Sequence, residues 1–307
     1  MNHASASGVA PAPVLKRILV ATDFSQAGRR AVWRAGQLAR MHDASLHLVH
    51  ARPDWNLFCR SSAAANEHYR GISEHAEEAL KAELEYLQAT FNLHVRGETR
   101  MGRASEVLTS AIAENDPNLV VVGARGEHDT PPAAPFLGGT ALKLIAQTDR
   151  PVLMVRKEGK GAYTVTLAAV DDSQETARRL VAWATSLLGH GDCHIEHAFD
   201  APYVERMRAL GITEAIIDAC TLEARKAAQR SVDAVLSGGA GEGQRLHAHL
   251  VCGETIASVL AEIARCRPEL VVVGKHQNTP LESATRFVGT NALRIAYHAA
   301  SDVLIVA

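Results

Sequence analysis

The chain has 307 residues, 47% hydrophobic and 21% charged, with a formal net charge of -2 and a pI near 6.7. That length and composition point to a globular protein with two domains and apolar material for two cores. The near-balanced charge gives no basic surface for nucleic acid or an anionic membrane, so neither is an expected partner.

The first stretch, residues 1–14, is rich in Ala, Ser and Pro and reads as a disordered tail. It lacks the basic and apolar regions of a signal peptide. "RILVAT" follows, a continuous apolar run of the kind a sheet buried on both faces requires. Ser25 is placed to cap a helix reaching His42. "ASLHLVHA" is a second strand, Ala63 to Thr90 a long helix, and "LHVRGETR" a third strand. A helix over Ala104 to Glu114 leads into "NLVVVG", and one over Thr140 to Gln147 leads into "PVLMVR". Strands separated by helices imply parallel pairing with right-handed crossovers.

The chain then repeats itself. "ILVATDFSQAGRRAVWRA" matches "LAAVDDSQETARRLVAWA", "MGRASEVL" matches "CGETIASVL", and "PVLMV" matches "DVLIV", at offsets of 148 to 151 residues. A duplicated domain is the expectation, with domains at 15–157 and 158–307 and the charged, glycine-rich "RKEGKGAYT" as linker. No apolar run approaches the ~20 residues needed to span a bilayer. The five cysteines form no Cys-x-x-Cys pair, which fits reduced thiols in the cytoplasm.

In an open parallel sheet, ligands sit outside the carboxyl ends of the strands where the strand order switches. Asp23 after the first strand, His50 and Ala51 at the end of the second, and Gly123 to Gly126 after the fourth converge there. A glycine turn admits a phosphate closely, and the helix opening near Thr140 offers free N–H groups to an anion. A phosphate cradle and a carboxylate suited to a base or ribose would face each other.

At these residues the chain resembles the universal stress protein family. The resemblance covers both halves and rests on "ILVATDFS", the turn at Gly102, "VVVGARG…GGT" and the closing "PVLMV". It implies an α/β fold of two tandem doubly wound five-stranded parallel sheets, Rossmann-like or flavodoxin-like, of the adenine nucleotide alpha hydrolase type. These would pack as an intramolecular pseudo-dimer through their last strands, in a monomer or a homodimer. It implies ATP as ligand, with or without Mg, and no tightly held metal. Ala21, Thr22, Asp23 and Ala51 would surround the adenosine, and Val122, Gly123, Gly126, Gly139, Thr140 and Ala141 the phosphates. Twelve residues separate Gly126 from Gly139 where the family pattern has nine, and Pro131, Pro132 and Pro135 stiffen that loop. The second half keeps Asp171, Gly274, Gly289 and Thr290 but has Gln277 for the glycine, a degenerate second site.

Other signals are weaker. There are fifteen histidines. His190, Cys193, His194 and His197 cluster along one expected strand, and His247 and His249 share a face of another at a spacing that can bind zinc. Solvated or core-edge histidines are the expectation, with an adventitious or regulatory metal site as the alternative, and no metal ligand is assigned. Lys275, right after Gly274, either reaches into the pocket in place of a ligand's positive contact or is solvated, and the second is the expectation. Trp55 and Phe58 either close over a ligand or pack on the long helix. Neither a Walker motif nor a Gly-x-Ser-x-Gly elbow occurs, so no catalytic residue is assigned. The expected role is a cytosolic stress-response protein that binds an adenine nucleotide and signals through unknown protein partners. The rivals are an interaction module without nucleotide and a very weak ATPase.

Overall fold

The computed structural model describes residues 13–52, 63–124, 138–159, 161–171, 173–199, 204–238, 240–275 and 290–307. They form an α/β fold of two compact units that divide between Ala162 and Tyr163.

In the first unit the order is β1 (Arg17–Thr22), α1 (Gln26–His42), β2 (Ser45–Arg52), α2 (Ala63–Phe91), β3 (Val95–Met101), α3 (Ala104–Asn115), β4 (Leu119–Gly123), α4 (Gly139–Gln147) and β5 (Val152–Val155). The strands lie side by side as β3-β2-β1-β4-β5, every pair parallel. The second unit runs β6 (Tyr163–Val170), α5 (Gln174–Ser186), β7 (Leu188–Phe199), α6 (Val204–Ala209), α7 (Glu214–Leu236), β8 (Gln244–Cys252), α8 (Thr255–Cys266), β9 (Leu270–Gly274), α9 (Thr290–His298) and β10 (Asp302–Val306). Its strands lie as β8-β7-β6-β9-β10, again all parallel. The repeat in the sequence is therefore a repeat of topology.

The apolar runs are buried as a two-faced sheet demands. Leu119, Val120 and Val121 of β4 have no exposed surface, and all four residues of β5 are buried. Full burial of such side chains contributes roughly 1.5–3 kcal/mol each. The edge strands β3 and β8 are mostly half-buried, which matches their alternating polar residues. The connection out of each edge strand reuses one device. Gly102 (φ +140) and Gly253 (φ +152) adopt conformations that side chains avoid, and their N–H groups donate to the last residues of β2 and β7, Arg52 and Phe199.

The chain leaving β5 is held on α1. Trp33 Nε1 and Gln37 Nε2 donate to the Gly159 carbonyl at 3.0 and 2.9 Å, and Arg34 donates to the Gly161 carbonyl at 2.6 Å. A Cβ at Gly159 would stand 1.7 Å from the Arg34 guanidinium, so a side chain there would have to displace it. In the second unit a buried polar pair fastens β6 to β10, with the Tyr163 hydroxyl donating to Asp302 Oδ2 at 2.8 Å. Both residues are at most 1% exposed. Tyr163→Phe removes this donor from a carboxyl group that is 1% exposed. The expected loss is about 1–3 kcal/mol of unfolding free energy by denaturant titration, with the transition slope unchanged.

Candidate functional site

The first unit's strand order reverses at β1, with β2 on one side and β4 on the other. The carboxyl ends of β1 and β4 therefore border the crevice where parallel sheets take ligands. The register pairs Thr22 with His50 and Val20 with Val121. Carried two residues further, it sets Val122 and Gly123 beside Ala21 and Thr22. Asp23 and Ala51 stand just past the paired ends. Ala21, Asp23, Ala51 and Gly123 are half-buried and Val122 is 3% exposed.

The helix N-terminus is brought to the same place by a backbone tie. The chain leaves β4 at Ala124, whose N–H donates to Val155 O at 3.0 Å, and returns at Gly138, whose N–H donates to Ala124 O at 2.9 Å. Gly138 caps α4 with no side-chain hydrogen bond, so among the described residues no side chain caps the N–H groups of Gly139, Thr140 and Ala141. An uncapped N-terminus carries unsatisfied donors and the positive end of the helix dipole. Gly139 is exposed, Thr140 half-buried and Ala141 buried. Gly126, Arg125 and the proline loop lie outside the described residues, as do Trp55 and Phe58.

Asp23 is fixed by its own turn. Its Oδ1 accepts from Ser25 N at 3.1 Å and Ser25 Oγ at 2.5 Å, while Ser25 Oγ accepts from Gly28 N at 3.0 Å. Ser25 is thus the α1 cap that the sequence predicts. Thr22 faces elsewhere. Its hydroxyl donates to Glu83 on α2 at 3.3 Å and accepts from Phe24 N at 3.2 Å, and its carbonyl lies 2.9 Å from His50 Nδ1. The Phe24 ring lies 4.5 Å from the His50 ring. Burial pushes Glu83 above the ordinary glutamate value, against the pull of the Thr22 hydrogen bond and of Arg29. A groove of about 550 Å³ between α1 and α2, lined by Phe24, Arg29, Trp33, Glu83 and Tyr86 among others, lies on this helical face rather than at the strand ends.

The second unit repeats the frame with changes. Asp171 Oδ1 accepts from Ser173 N at 3.0 Å, Ser173 caps α5, and Gly274 ends β9. Thr290 opens α9, while Gly289 and Gln277 lie outside the described residues. Lys275, expected to be solvated, is 6% exposed. Its N–H donates to Val306 O at 2.6 Å, the counterpart of the Ala124–Val155 bond.

One residue of the site escaped the sequence reading. A Cβ on Gly28 would stand 2.5 Å from Asp23 Oδ1. Thr176 occupies the matching place in α5, so setting the two repeats side by side would have marked Gly28.

The universal stress protein family model matches twice, over residues 15–156 and 162–307. A universal stress protein of Pseudomonas aeruginosa UCBPP-PA14 aligns over 96% of this chain and 94% of its own, with 18% identity and a TM-score of 0.62. One from Archaeoglobus fulgidus aligns over 94% and 97%, with 16% identity and a TM-score of 0.62. No curated protein matches the sequence. At these identities the structural likeness speaks to fold.

Two measurements probe the site. Gly→Ala inside a helix ordinarily gains up to about 1 kcal/mol. At Gly28 the clash with a carboxylate held by two hydrogen bonds reverses the sign, so Gly28→Ala is expected to lower the melting temperature. A rise would show that Asp23 swings away freely. For Glu83, a raised folded value means that ionising the group opposes folding. That cost is absent below the unfolded glutamate value and grows as pH rises through the folded one. Glu83→Gln should therefore be more stabilising, relative to the parent, at about pH 7 than at about pH 4. Thermal unfolding of both proteins at the two pH values checks the ordering.

Proposed function

The chain is a tandem member of the universal stress protein family, and from that premise we propose that its first half binds an adenine nucleotide, ATP with or without Mg. The observation that carries the proposal is the tie between Gly138 N–H and Ala124 O, which sets an uncapped helix N-terminus beside the end of β4. Phosphate oxygens would take the N–H groups of Gly139, Thr140 and Ala141. Gly123, with Gly126 beyond it, would let the backbone close on them, and Val122 would support the floor. The Asp23 carboxylate, held by Ser25, would accept from the ribose or base, with Ala21 and Ala51 as the apolar walls. Thr22 would contribute its backbone, since its hydroxyl is engaged by Glu83 and Phe24.

The second half, with Asp171, Gly274, Gly289 and Thr290, is proposed to bind nucleotide much more weakly. Gln277 replaces the glycine and Lys275 is buried. No lysine follows the first glycine turn in Walker fashion, so the proposal is binding and signalling rather than turnover. The four described cysteines are free thiols, which fits a cytoplasmic role.

Calorimetric titration of the intact chain with ATP is expected to give close to one site. Asp23→Ala should weaken it about tenfold, the loss of roughly 1.4 kcal/mol, and Asp171→Ala should leave it unchanged. Loss of binding on changing Asp171 rather than Asp23 would place the working site in the other half. No binding at all would favour the interaction-module reading.

A further inference from the structure

Beneath α8, at the far edge of the second unit, the fold gathers polar groups that the nucleotide proposal does not use. The β7–β8 register pairs His194 with His247 and Glu196 with His249. Residues two apart on a strand share a face, so all four lie on one side of the sheet. The His194 ring stacks on those of His247 and His249, with centroids 5.0 and 5.5 Å away. From α8, Glu262 enters this face, only 7% exposed.

We propose that His194, His249 and Glu262 form a binding site for a divalent transition metal of the zinc class. His194 Nδ1 lies 3.2 Å from His249 Nε2, and Glu262 Oε1 lies 3.5 Å from each. A tetrahedral ion with bonds of about 2.0–2.2 Å holds its ligand atoms roughly 3.3–3.5 Å apart. The three atoms already occupy one face of such a tetrahedron, so an ion can enter with shifts of tenths of an ångström. Two imidazoles and a carboxylate, with the fourth position open, match the chemistry zinc accepts.

A cation already tests this face. Arg265 donates from one nitrogen to His249 Nε2 at 2.9 Å and to Glu262 Oε1 at 2.5 Å. Both atoms therefore present lone pairs outward. The Arg265 side chain is 54% exposed and can withdraw into solvent when a stronger cation arrives. A second buried group has capacity to spare. Glu196 is 1% exposed, and its Oε1 accepts from Ser258 while its Oε2 has no partner among the described residues. It stands directly across from His249 in the register, where it can accept a hydrogen bond from a water in the fourth position.

The test uses the untagged full-length chain, stripped with chelator and titrated with Zn2+ against a chromophoric competitor, then with Co2+. The expected result is one ion per chain and the visible absorption of tetrahedral Co2+. His249→Ala, with its fold checked by circular dichroism, should weaken Zn2+ binding at least ~10-fold and abolish that absorption. Arg265→Ala should bind as tightly as the parent or more tightly. His190→Ala, on the same strand but outside the cluster, should change nothing. Absence of Zn2+ binding at micromolar concentration, binding that survives His249→Ala, or a tenfold loss on Arg265→Ala would each overturn the proposal.

Discussion

Parallel pairing is the constraint from which the rest follows. A parallel strand cannot turn straight back to its neighbour, so each connection must cross a face of the sheet, and the helices that make the crossings bury it on both sides. That is why Leu119, Val120 and Val121 are wholly buried in a run with no alternation. It is also why the order reverses at β1, for the chain fills one side with β2 and β3 before it crosses to β4 and β5. The reversal sends the connections after β1 and β4 away on opposite faces, and the ends of these two strands border the crevice between them. The candidate site lies where the sheet has its middle.

The architecture was legible because burial on two faces writes continuous apolar runs, and helices write a period of 3.6. The "RILVAT" run is β1 to the residue, and the long helix ends at Phe91 rather than Thr90. Single-residue contacts between elements were not legible. The need for glycine at position 28 comes from the carboxylate of Asp23 across a turn, and no local pattern encodes that distance. The burial of Lys275 likewise runs against the expectation from its charge. Spacing did show that His247 and His249 share a face, but it could not name Glu262, which reaches them from another element.

The two halves show which features the architecture demands and which it leaves free. The glycines that turn the edge strands into α3 and α8 keep the same backbone conformation and the same partner position. The aspartates after β1 and β6 both accept from the N–H of the serine two residues on. Around these fixed points the side chains diverge, with Thr176 for Gly28 and Lys275 for Ala124. The polar cluster under α8 belongs to this divergence. At the matching places on the first half's edge, His47 and Glu98 form a pair 3.1 Å apart.

The anchoring of residues 159 and 161 on α1 bears on where the molecule can be divided. By composition the junction looks like slack chain, the place where separation would do least harm. Yet the carbonyls of Gly159 and Gly161 are the acceptors for Trp33, Gln37 and Arg34. A first half severed after residue 157 would lose them, and Arg34, 4% exposed in the intact chain, would give up its bond to the Gly161 carbonyl and keep the one its Nη1 makes to Gln37 Oε1. The natural seam lies a few residues later, at Ala162, where one glycine-rich turn has finished serving the helix behind it and the next strand has not begun.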